Sequence, residues 1–243
     1  MTALYAIGDI HGQLAGLTQA IEWIEKDGGP EAPIVFLGDY IDRGPDSRGV
    51  LDFLIQGHDA GRNWTFLKGN HDRMFEWFLQ TPSRADPHLF TDLSWLHERL
   101  GGQDTLRSYG LDFSARRRLS AVHDEALRAV PRAHLDFLEG CPLTFATEDL
   151  FFCHAGIRPG VALCDQNEED LLWIREKFLD FDGRHPKIIV HGHSPIEQAC
   201  HYGNRVNLDS GAGYGQPLTA AVFEELRCSI LTAQGRRKIS MAA

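Results

Sequence analysis

The chain predicts a layered α/β fold with strands covered on both faces, on three observations. Strands alternate with helices through the first third. The strand-forming runs are short and continuously apolar, as in Ile34-Val35-Phe36-Leu37 and Leu150-Phe151-Phe152-Cys153, the pattern of strands buried on both sides. After Arg205 the reading changes to strands of period two separated by Gly-rich turns, which predicts antiparallel neighbours there.

Leu4-Tyr5-Ala6-Ile7 is the first strand. Leu14, Leu17, Ile21 and Ile24 then recur at helical spacing and stop before Gly28-Gly29-Pro30. Residues 34–37 form the second strand, and Pro45-Asp46-Ser47 opens a helix with Val50, Leu51, Phe53 and Leu54 facing inward. The third strand is 64–67. Residues 73–140 change character: 73–79 and 90–100 read as helices around a polar loop, and 121–138 is broadly helical. This is expected to be a helical insertion beside the sheet, within one domain spanning 1–243. Its aromatics Phe75, Trp77, Phe78, Phe90 and Trp95 are expected to pack inward. Further strands are expected at 150–153, 188–190, 205–208, 218–223 and 228–231.

A length of 243 residues with 43% hydrophobic and 24% charged residues is ordinary for a soluble enzyme with one well-filled core. A net charge of -10 argues against nucleic-acid and anionic-membrane partners. The one basic run, Arg116-Arg117-Arg118, reads as a solvated helix end. Five cysteines with no CxxC pair indicate a reducing compartment. Met1-Thr2-Ala3 leads straight into the first strand, leaving no room for a secretory leader. No apolar stretch is long enough to span a bilayer, so the expected location is cytoplasmic.

The chemistry lies where the strands stop. Five apolar runs end at Gly8-Asp9-Ile10-His11, Gly38-Asp39, Gly69-Asn70-His71, His154 and His191-Gly192-His193. Strands lying side by side would gather these groups on one rim. Asp9 and His11 make a half-site for a divalent metal. Asp39 has two oxygens and can bridge a pair of metals. Asn70, His154 and one of His191 or His193 would complete a second N/O site. The absence of thiolates argues against structural zinc, and the ligand mix suits Mn or Fe, with Zn the alternative. Two such ions polarise a shared water to hydroxide and clamp an in-line displacement at phosphorus. Arg43 offers a bidentate phosphate contact, and Arg175 is a second clamp. His71 would protonate the leaving oxygen, with Asp42 orienting it and favouring its charged form. Singly, each has an ordinary explanation: Asp9 as a helix cap, Asp42 and Arg43 as a surface pair, His154 as a core histidine. Ordinary explanations do not account for so many strand ends stopping on a ligand.

The blocks GDIHG (8–12), GDYIDRG (38–44), GNHD (69–72), HAG (154–156) and HGHSP (191–195) resemble the phosphoprotein phosphatase family of binuclear metallophosphoesterases. The likeness is strongest to its bacterial and phage lambda-type members, which share LLWIR (171–175) and segments like 101–110 and 207–215. The resemblance implies a calcineurin-like fold, two packed mixed sheets flanked by helices. It implies a first metal on Asp9, His11 and Asp39, and a second on Asp39, Asn70, His154 and His193. It makes Arg43 and Arg175 the phosphate clamps and His71, paired with Asp42, the acid. The third block ends in Asp72 where eukaryotic protein phosphatases carry Glu, and HAGI replaces their HGGL. GNHD and HAGI also occur in diadenosine tetraphosphate hydrolases, but those lack the Asp of DRG and LLWIR. The resemblance therefore favours a phosphoserine/phosphothreonine protein phosphatase. The alternative is a hydrolase of dinucleoside polyphosphates or nucleotide caps, with Trp77 or Trp95 stacking on a base. A non-catalytic regulator is disfavoured, because no ligand or acid position is missing.

Overall fold

Two six-stranded mixed sheets stack face to face in the computed structural model, which describes residues 3–90 and 93–242. In chain order the elements begin with β1 (Leu4–Ile7), α1 (Leu14–Gly28), β2 (Ile34–Phe36), α2 (Ser47–Asp59) and β3 (Trp64–Phe66). Four helices follow: α3 (Asn70–Gln80), α4 (Gly102–Ser108), α5 (Leu119–Ala129) and α6 (Arg132–Gly140). Next come β4 (Thr144–Ala146), β5 (Leu150–Cys153), α7 (Glu168–Trp173), α8 (Glu176–Leu179) and β6 (Ile188–His191). The chain closes through β7 (Cys200–His201), β8 (Arg205–Asn207), β9 (Ala220–Glu224), β10 (Arg227–Thr232), β11 (Gly235–Lys238) and β12 (Ser240–Met241).

The first sheet runs β11-β10-β9-β1-β2-β3 and the second β12-β7-β8-β6-β5-β4. Each holds a parallel trio, β1/β2/β3 in one and β5/β6/β8 in the other. Every anticipated ligand follows the carboxyl end of one of these strands, where open α/β sheets bind their ligands. The expected antiparallel pairing holds for β9 with β1 and β10, while β8 is parallel to β6 and antiparallel to β7.

Alternation along the strands builds the layers. Tyr5 and Ile7 face α1 and α2, sharing a cluster with Leu17, Ile24, Leu51 and Leu54, whereas Ala6 joins Phe152, Val190 and Phe223 between the sheets. Phe151, Cys153 and Ile189 cover the far side with Leu171, Ile174 and Phe178. Each such fully buried large apolar side chain stabilises the fold by about 1.5–3 kcal/mol. Among the described residues no helix is long and apolar enough to cross a membrane.

The segment between β3 and β4 differs from expectation in three places. Residues 93–100 form turns closed by i→i−3 bonds, such as His97 N–H to the Ser94 carbonyl; Thr91 and Asp92 lie outside the described residues, as do Met1 and Thr2 of the anticipated N-terminal run. The helix is α4 instead. The expected 121–138 helix is two, divided at Val130-Pro131, where Pro131 cannot donate a backbone hydrogen bond. Phe90, expected inside, is 83% exposed. Phe75, Phe78, Trp95 and Leu138 do share the cluster of α1 and α2. Arg73, wholly buried, ties α3 to Asp86 and to Glu169 of α7.

Candidate metal centre

Five of the six non-glycine residues with positive φ among the described residues are His11, Asp39, Asp42, Arg43 and His193. Such conformations cost on the order of 1–3 kcal/mol each and cluster at functional sites. Two glycines show why ligands follow Gly here. A Cβ on Gly69 would lie 2.2 Å from an Asp39 carboxylate oxygen, and one on Gly192 would lie 1.9 Å from Asp9 Oδ1. The loops therefore approach at backbone distance. Asp72 staples two of them: Oδ2 accepts the Asp39 and Gly69 N–H groups at 2.8 Å each, and Oδ1 accepts from Tyr40 N–H at 3.1 Å.

Asp39 stands at the centre. Its Oδ2 lies 3.5 Å from His11 Nε2, and its Oδ1 lies 3.5 Å from His154 Nε2 while accepting the His71 N–H at 2.9 Å. One carboxylate thus faces two half-sites. Both imidazoles are fixed in the ligating tautomer, because His11 Nδ1 donates to the Ile41 carbonyl and His154 Nδ1 to the Leu37 carbonyl, each at 2.8 Å. Burial lowers the pKa of His154 to about 4, so its Nε2 carries a bare lone pair near neutral pH.

That lone pair meets Asn70 Oδ1 at 2.8 Å, and His193 Nδ1 stands 2.9 Å from the same oxygen. His193 Nε2 is buried without a partner. An amide oxygen facing a bare ring nitrogen is unfavourable unless a cation lies between them, so Asp39, Asn70, His154 and His193 fit a divalent ion. His191 is no part of this cluster; its Nδ1 faces the Gly192 carbonyl and its Nε2 faces Arg205. Asp9 is buried beside the site but accepts the His193 N–H at 3.0 and 3.2 Å. The third side chain clustered with His11 and Asp39 is His71, not Asp9. Burial, then the nearby Asp209 and Asp39 charges, push the Asp9 carboxyl well above its usual range. Asp9 does not cap α1, whose N-cap is Gln13.

His71 Nδ1 donates to Asp42 Oδ2 at 2.6 Å, and Arg43 Nη2 donates to His71 Nε2 at 2.9 Å. Far from being a surface pair, Asp42 is wholly buried. Asp42 is placed to orient the His71 ring. Burial first, and then the Arg43 charge, press the His71 pKa well below normal, and Arg43 holds Nε2, so the ring takes up an acid's proton only where Arg43 turns from it to a phosphate oxygen. Burial pushes the Asp42 carboxyl up, against donors from Thr105 and Trp95. Three side-chain donors converge on Asp42, from His71, Trp95 at 2.8 Å and Thr105 at 2.6 Å, leaving no acceptor for a proton on it.

Arg43 Nη1 also reaches His11 Nε2 at 2.6 Å, so an ion there and this contact exclude each other. Arg175 is exposed at the break between α7 and α8 and donates to Ser194 Oγ at 3.2 Å and, over 3.4 Å, to the His193 carbonyl. Both arginines line a cavity of about 110 Å³ with Asp39, His71, Trp173 and Tyr214. The roles of four residues near the site escaped sequence reasoning. Trp95 and Thr105 hold Asp42, Tyr214 lies under the Arg43 guanidinium at 4.8 Å, and Asp209 lies beyond β8. Asp209 carried a signal as another acid just past a strand end, and Thr105 and Tyr214 lie in the segments 101–110 and 207–215 of the resemblance.

Residues 3–220 match the family model described as calcineurin-like phosphoesterase. The bis(5'-nucleosyl)-tetraphosphatases PrpE (asymmetrical) of Anoxybacillus flavithermus and Geobacillus thermodenitrificans are each 26% identical, over 90% of this chain and 90% of theirs. A crystal structure of a "putative diadenosine tetraphosphatase" superposes with TM-score 0.66 at 20% identity, covering 95% of this chain and 93% of that one. A cold-active protein-tyrosine phosphatase of a Shewanella species gives 0.61 at 18% identity, covering 99% and 81%. At such identities the structures attest the fold, and the family match over residues 3–220 shows that this chain belongs to the calcineurin-like phosphoesterases, metal-dependent hydrolases of phosphate esters.

Proposed function

We propose that the chain hydrolyses dinucleoside polyphosphates, with Asp9, His11 and Asp39 holding one divalent ion and Asp39, Asn70, His154 and His193 the other. When bound, the ions supply charge stabilisation for an in-line displacement at phosphorus; Mn suits this ligand set. Arg43 and Arg175 take the phosphate oxygens. The observation that carries the substrate reading is the name shared by relatives aligned over 90% of their length and of this chain. They back this alternative better than the protein-phosphatase reading that Asp42 and residues 171–175 suggested. The surroundings agree. Arg175 and Pro195 also line a second cavity of about 360 Å³ with Tyr202 and Ser194, room beside the Arg175 guanidinium for a further phosphate. Trp95 cannot stack on a base, being 4% exposed, and Trp77 is covered by Arg73 and Arg84 at 4.6 and 3.4 Å from its ring. Tyr214, 61% exposed, stands at the rim with one ring face under Arg43. Five unpaired cysteines support a reducing, cytoplasmic setting.

The His71–Asp42 pair favours a second reading, phosphoserine or phosphothreonine hydrolysis. An alkoxide needs a proton on leaving, and a polyphosphate does not. Side-by-side kcat/KM values for diadenosine tetraphosphate and a phosphoserine peptide, after chelation and Mn reloading, test the proposal. Faster peptide turnover would install the second reading.

A further inference from the structure

We infer that the helical segment between β3 and β4 is a positioning device for the acid pair, acting through Trp95 and Thr105. The inference rests on the second reading above, in which His71 protonates a departing alkoxide. Asp42 is wholly buried and held in the left-handed region at φ 73°. Its Oδ2 accepts both His71 Nδ1 at 2.6 Å and Trp95 Nε1 at 2.8 Å, and its Oδ1 accepts Thr105 Oγ1 at 2.6 Å. Thr105 Oγ1 also accepts the Asp42 N–H at 2.9 Å, a bond shared with Ser47 Oγ at 3.1 Å.

The donor inventory closes. Thr105 has one hydroxyl proton and gives it to Asp42, so the 3.1 Å contact with Ser47 is donated by Ser47. Two side chains from the segment thus fix both carboxylate oxygens and one fixes the backbone. Trp95 in turn packs on Phe75 and Phe78 at 5.2 and 4.8 Å between ring centroids, and both belong to α3, the helix that carries His71. Carboxylate and imidazole are therefore referenced to one wedge. Packing alone would not require the indole N–H and the hydroxyl to converge on the same carboxylate.

Trp95→Phe and Thr105→Val keep most of the volume and remove one donor each. Each should lower kcat on an alkyl phosphate about 10–100-fold, the scale of one hydrogen bond to a charged group, with KM little changed and a much smaller loss on para-nitrophenyl phosphate, whose leaving group needs no proton. Thr105→Ser should restore the hydroxyl and most of the rate. Thr105→Val added to Asp42→Asn should cost nothing further. The low-field Nδ1–H resonance of His71 reads the pairing without turnover, and it should broaden or shift in both variants but not in Thr105→Ser. Wild-type hydrolysis of para-nitrophenyl phosphate with Mn checks the underlying site separately. Equal losses on both esters, no recovery with Ser, or an unmoved His71 resonance in a folded Thr105→Val would overturn the inference.

Discussion

Replacing Gly192 by alanine asks whether the crowding of the loops serves the metal centre. The added methyl would sit 1.9 Å from Asp9 Oδ1, where ordinary contact begins near 3.4 Å, so the carboxylate must withdraw by about 1.5 Å. Withdrawal breaks the contacts from the His193 N–H at 3.0 and 3.2 Å, so one methyl disturbs a proposed ligand of each ion. Metal bonds tolerate displacements of roughly 0.2 Å, and a misplacement of about 1 Å near reacting groups costs on the order of 10²-fold in rate. Gly192→Ala should therefore lose at least about 10²-fold in kcat/KM, and its Mn isotherm should weaken. Gly140→Ala is the control, because beyond its chain neighbours and its own helix backbone no atom lies within 4 Å of its Cβ position at the end of α6; there alanine should be neutral or stabilise by about 0.4–1 kcal/mol. The assay is kcat/KM on an aryl phosphate across a Mn titration, with folding checked by circular dichroism. Wild-type affinity and rate in a folded Gly192→Ala would refute the reasoning.

Arg43→Ala should lower kcat/KM by about 2–4 kcal/mol of transition-state binding, and Arg43→Lys should recover little, because an ammonium lacks the planar fork; a fully active lysine variant would remove the clamp role. Burial pushes the pKa of Asp39 up to about 7, so ligation must expel a proton below that pH. Mn affinity measured by calorimetry should rise as pH increases from 6 through 7, and a flat profile would contradict it. The folded value lies above the unfolded 3.8, so this group's contribution to stability is present below about pH 4 and is lost as pH rises through 7. Mn should accordingly raise the Tm more at pH 8 than at pH 5.5. His71→Asn should retain both ions while losing most rate on poor leaving groups, by roughly 10²–10⁴-fold; loss of bound metal would make His71 a ligand.

The sheets and their rim were legible because the local signals agreed. Continuous apolar runs specified β1, β2, β5 and β6, and glycine before a ligand marked loops that meet at backbone distance. The choice between His191 and His193 was not open to spacing, since it depends on which ring turns from Arg205 toward Asn70. Residues 93–100 form turns where the sequence carries a helical pattern, and there Trp95 donates to Asp42, 53 residues away, while Thr105 lies 63 away from the same carboxylate. Such long-range donors leave no local trace. Gly101-Gly102 reads as a break and concealed α4, while β7 and β12 have only two residues each and show no period.

Anomalous diffraction from crystals loaded with Mn tests the central claim most directly. It should show two ions per chain, roughly 3.5–4 Å apart, with one Asp39 oxygen on each and with Asp39→Asn depleting both. A single ion in a fully active enzyme, or two ions of which Asp39 touches only one, would contradict the account.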